Sequence, residues 1–94
     1  MAVNIRDQIV IHLYRIGKKG NDLKMPFEST ELGIMCRVGV KPEELDATLG
    51  YLLYRGFIRK LIADVQNESD AVCYKITPLG MYRAEQILKE QEVI

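Results

Sequence analysis

His12 is the chain's only histidine, and it stands among Ile9, Val10, Ile11 and Leu13, a setting that suits a structural imidazole better than a catalytic one. Cys36 and Cys73 lie far from each other and from His12, without the short ligand spacings of a structural zinc site. They read as two small buried hydrophobes, with a redox switch through a disulfide as the alternative. Gly17-Lys18-Lys19-Gly20 has neither the Walker spacing nor a preceding strand, so it does not cradle a phosphate as a P-loop does. No serine or cysteine has a base that the sequence points to. The chain is therefore expected to be no enzyme and to carry no cofactor and no metal.

Ninety-four residues fit one domain spanning 1–94, and an apolar fraction of 48% is enough for a globular core. A chain this short buries only about two-thirds of its unfolded surface, so a second copy would add useful stability. Thirteen Lys and Arg balance thirteen Asp and Glu, which removes the bulk-charge case for a polyanionic partner and leaves only local patches. The first seven residues carry both signs of charge and no run is long and apolar enough to span a bilayer, so neither a secretory leader nor a membrane partner is expected. The scarcity of cysteine fits a reducing, cytoplasmic location.

Asn4 can cap a helix over 4–16 that ends at Gly17, with Ile5, Ile9, Leu13 and Ile16 on one stripe and Val10, Ile11 and Tyr14 widening it. Ser29 or Thr30 opens a helix over 29–38, with Glu31 in its first turn and Gly39 as its stop. Pro42 opens a third helix over 42–55, with Leu45, Leu49, Leu52 and Leu53 facing inward and Gly56 closing it. The period then changes: residues 57–65 and 72–76 read as strands about a polar turn, making a hairpin over 57–76. Thr77-Pro78 caps a last helix over 78–92. The fold class is α+β.

Met35, Gly39 and Leu45 have the spacing of a helix-turn-helix unit, and Val38-Gly39-Val40-Lys41-Pro42 looks like its turn. Leu49, Leu52 and Gly56-Phe57-Ile58 resemble a helix-to-wing junction, and Tyr74-Lys75-Ile76-Thr77-Pro78-Leu79-Gly80 resembles the "Y-x-L-T-x-x-G" signature that closes a wing. Over roughly residues 29–94 the chain resembles the small winged helix-turn-helix transcription regulators of the MarR and PadR type, departing from their pattern at Met35, where Ala is usual. The resemblance implies a homodimeric regulator whose third helix enters the major groove of duplex DNA.

The charges pull the other way. Glu43, Glu44 and Asp46 crowd the half of the third helix that would meet DNA, against Arg55 alone. The wing tip, Gln66 to Asp70, has two acids and no base, whereas minor-groove wings bring Arg or Lys. Basic excess lies instead in residues 1–27, where five Lys and Arg stand against two acids. The candidate nucleic-acid contacts are Lys18, Lys19, Lys24, Arg37, Lys41, Thr48, Tyr51, Arg59 and Lys60. On a helical wheel Ala47, Gly50, Tyr51 and Tyr54 share the outward side of the third helix, small residues beside aromatics. That face suits a protein partner, or else Gly50 makes room for the first helix inside the fold. Leu79, Tyr82, Ala84, Ile87 and Leu88, with Val93 and Ile94 beyond them, are more apolar surface than a terminal helix needs. With the broad stripe of the first helix they suggest a homodimer through the two terminal helices, unless one monomer's core consumes both.

Overall fold

A computed structural model describes residues 4–18, 29–63 and 71–92. Within them the chain is α+β: helices α1 (Ile5–Lys18), α2 (Glu31–Ile34, continuing as a π-helical stretch Met35–Gly39), α3 (Pro42–Arg55) and α4 (Pro78–Glu92), with strands β1 (Ile58–Ala63) and β2 (Ala71–Ile76) between the last two. Lys19, Lys24, the turn residues 66–70, Val93 and Ile94 lie outside the described residues.

The helix boundaries follow from local chemistry. Asn4 caps α1, its Oδ1 accepting from the Asp7 amide at 2.9 Å. The helix runs on through Gly17, one turn position beyond the expected stop, and a Cβ at Gly17 would lie only 3.3 Å from Ile76 Cγ2. Packing against β2 thus accounts for this glycine, rather than chain termination. Thr30 caps α2, with Oγ1 accepting from the Gly33 amide at 3.1 Å. Gly39 and Gly56 close α2 and α3 at φ +82 and +77, a left-handed conformation that costs glycine least.

α1 is the central element. Ile9, Val10, Ile11, Leu13 and Tyr14 are all buried, because α4, β2, α3 and the π-helical turn of α2 all pack against it. Its wide stripe is therefore spent inside one copy of the chain. Leu45, Leu49 and Leu52 of α3 meet the same core, with Leu53 half-buried at its edge rather than fully inside. Among the described residues of α4, Gly80, Ala84 and Ile87 are buried, and Leu88 is partly so.

β1 and β2 pair antiparallel from Ile58↔Ile76 to Ala63↔Ala71. Beyond the hairpin, Thr30 makes an antiparallel bridge with Cys73, so the residue that caps α2 also borders β2. At the other end of β2, Thr77 Oγ1 donates to the Gly56 carbonyl at 2.6 Å and accepts from the Gly80 amide at 3.0 Å, while its own amide donates to the Phe57 carbonyl. A Cβ on Gly80 would overlap that same Phe57 carbonyl oxygen and lie 2.7 Å from Ile76 Cγ1. The Thr77-x-x-Gly80 spacing is thus a joint between the α3–β1 turn and the first turn of α4, which only glycine can close.

Candidate functional site

α3 presents Glu43, Ala47, Gly50 and Tyr54 to solvent along one stripe at intervals of four, three and four residues. Tyr54 is 87% exposed. A Cβ at Gly50 would meet nothing within 4 Å, so this glycine makes no room for α1 and its small size is not explained by packing. Glu43, Glu44 and Asp46 are all exposed at the N-terminal half of the same helix, where they also favour its positive end.

Tyr51 is not part of that stripe. It is half-buried, with the Arg6 guanidinium 3.8 Å above its ring and Arg55 at 5.9 Å. The helical wheel groups it with Tyr54 because a residue at the margin of the leucine face differs little in angle from one facing outward. Packing of the α1 N-terminus decides the matter, turning Tyr51 into a link between α1 and α3. Arg55, also 5.7 Å from the Phe57 ring, lies over aromatic surface at the end of α3.

The candidate cations fall into three places. Lys41, at the α3 N-cap, and Arg59 and Lys60, on β1, are exposed on either side of α3 in sequence. Arg59 pairs across the hairpin with Lys75, placing two basic residues on one sheet face, whereas Lys60 pairs with Tyr74. Lys18 stands elsewhere, at the end of α1, 5.3 Å from the centre of the Tyr14 ring. A hydrogen bond with Tyr14 is the main cause that holds its ammonium above the ordinary value, with the charge of Glu85 adding to it. Tyr14 in turn donates its hydroxyl proton to Glu85 Oε2 at 3.0 Å. Lys18 is thus drawn into a link between α1 and α4. Thr48 is half-buried.

Arg37 occupies the third place. It is exposed on the π-helical turn of α2 and lines a cleft of about 280 Å³ with Gln8, Ile11, His12 and Arg15 of α1, Val38, and Gln91 of α4. Sequence reading found Arg37 but not Arg15, Gln8 or Gln91. The signal within α1 was present: Gln8, His12 and Arg15 recur at i, i+4 and i+7, a polar stripe beside the apolar one. That Arg37 and Gln91 join it depends on tertiary packing and has no local mark.

Cys73 is buried as expected, but Cys36 is exposed, because the π-helical turn carries it and Arg37 away from the core while Met35 and Val38 pack against it; both thiols are free. His12 is half-buried and has an interaction partner within the chain. Among the described residues no three His, Cys, Asp or Glu side chains come together as metal ligands would. No helix among them is long and apolar enough to cross a membrane. No protein-family model matches the chain, and no curated protein matches it significantly.

Proposed function

We propose that the chain is a winged helix-turn-helix domain that binds duplex DNA without enzyme activity and acts as a transcription regulator in homodimeric form. The order helix, helix, helix, hairpin, helix supports the fold, as does the joint that Thr77 and Gly80 make at the base of the hairpin. The observation that carries DNA binding is the exposure of Arg37 and Lys41 just before α3 and of Arg59 and Lys60 just after it, four exposed cations that flank in sequence a helix whose outer side is open. The cations would hold phosphates while the outer side of α3 meets the groove. Apolar surface left over for a second copy lies on α4, at Leu79, Met81 and Tyr82, rather than on α1.

A salt titration of binding to a mixed-sequence duplex tests this, with fluorescence anisotropy as the readout. Four phosphate contacts per protomer give a slope of log K against log salt of roughly −3 to −4 per bound protomer, about twice that for the dimer. Absence of binding at low salt, or affinity unchanged by salt, overturns the proposal.

A second reading is favoured by Gly50. An exposed mid-helix glycine costs about 1 kcal/mol relative to alanine, and here no neighbour within the chain requires it. A protein partner resting on Ala47 and Gly50, with Tyr54 as an anchor beside them, would require that open surface. The acids at the start of α3 also suit a protein partner better than a phosphate backbone. On that reading the domain is an interaction module.

A further inference from the structure

We propose that the cleft between α1, the π-helical turn of α2 and the last turn of α4 binds the phosphate group of a small phosphorylated molecule. Two guanidinium groups, Arg15 and Arg37, come to this cleft from different helices, and among the described residues no carboxylate lines it. Gln8 and Gln91 bring side-chain amides and His12 brings a ring nitrogen, so every polar side chain that lines it among the described residues can donate a hydrogen bond. Gln8 and His12 already have partners within the chain, which leaves the guanidinium groups as the chief recognition elements.

Charge and oxygen count select the ligand class. A monocarboxylate brings one charge and two oxygens, which leaves the second arginine uncompensated. A phosphate monoester brings about −1.5 to −2 charges at neutral pH and three terminal oxygens, enough to engage a planar fork from each arginine. The cleft volume of about 280 Å³ lies near the small end of ligand sites, roughly 300–1,000 Å³. It therefore suits a phosphate and the few atoms next to it, with the ester carbon resting on Ile11. The site was not assembled for the core: the stripe of Gln8, His12 and Arg15 adjoins the packed residues Ile9 and Leu13 but stays partly or wholly exposed. It is tested separately from DNA binding, with which it shares Arg37.

Nuclear magnetic resonance of the full chain tests the proposal, following the arginine Nε–Hε and glutamine side-chain signals. Inorganic phosphate and glucose 6-phosphate are the probes, with glucose and potassium chloride at matched ionic strength as controls. The expected result is a saturable shift of the Arg15, Arg37 and Gln91 signals with both phosphates and with neither control. Arg15→Gln combined with Arg37→Gln should weaken that binding about tenfold or more. Both side chains are exposed, so the backbone spectrum should otherwise be preserved. Shifts no larger than those with chloride, or equal affinity in the double variant, overturn the proposal. So does a response of these two arginines to duplex DNA alone, which would assign the cleft to the nucleic-acid surface.

Discussion

Gly80 and Gly50 show how differently one residue type behaves inside a helix. At Gly80 an added methyl group meets the backbone carbonyl of Phe57, which cannot rotate away as a flexible side-chain end would. Gly80→Ala is expected to destabilise the domain by about 3 kcal/mol, read as a lower urea midpoint. At Gly50 the same methyl group enters open space on a regular helix, so Gly50→Ala should stabilise by about 0.5–1 kcal/mol in the same assay. Tyr74 offers a test by pH. It is 6% exposed, and desolvation first, then the charges of Glu31 and Asp46, raise its phenol above the ordinary value. The folded chain thus favours the protonated ring, a preference fully present up to the ordinary tyrosine value near 10 and lost as pH rises through the higher folded value. Stability should hold flat with respect to this group through neutral pH and fall in strong alkali. Ultraviolet titration should show one tyrosine ionising later in Tyr74-containing protein than in Tyr74→Phe.

At the level of helices and strands, much was legible in the sequence because start and stop signals were local. Asn4, Thr30, Pro42, Gly39, Gly56 and the Thr77-Pro78 pair each act within a turn of themselves, and the structure has a helix boundary at every one. Gly17 misled because its smallness serves a contact with Ile76, distant in the chain. The π-helical turn had no mark at all, since one extra residue per turn changes neither composition nor the apolar pattern over so short a stretch. Its effect was to expose Cys36, which hydrophobicity alone assigns to the core. The candidate surface divides in the same way. Ala47, Gly50 and Tyr54 were readable from helical period, but the withdrawal of Tyr51 depends on Arg6 arriving from another element. If α3 is flanked by phosphate-binding cations, Arg59→Gln with Lys60→Gln should reduce the salt slope of duplex binding by about two per bound protomer while leaving the melting temperature nearly unchanged. Anisotropy and thermal melts of the same preparations check both halves of that expectation.

For the molecule as a whole, the apolar stripe of α1 is absorbed by a single copy, so the proposed dimer through the terminal helices would draw chiefly on α4, where Leu79 and Tyr82 are 52% and 60% exposed. Leu79→Glu with Tyr82→Glu should shift a dimer to monomer in sedimentation equilibrium at micromolar concentration while leaving the circular dichroism spectrum intact. Burial of a residue in one copy can be counted from periodicity, but which surplus faces a second copy cannot, because an amphipathic helix is compatible with either use. The union of α4 with the hairpin bears on what such pairing would do. Thr77 and Gly80 join the start of that helix to the main chain of Gly56 and Phe57, with the Thr77 hydroxyl and amide both engaged and no side chain standing between Gly80 and the Phe57 carbonyl. A joint of that kind has nothing compressible in it. Swivelling the last helix would therefore carry the two-stranded arm with it, so a second copy seated on α4 in the proposed dimer would set the arm's bearing.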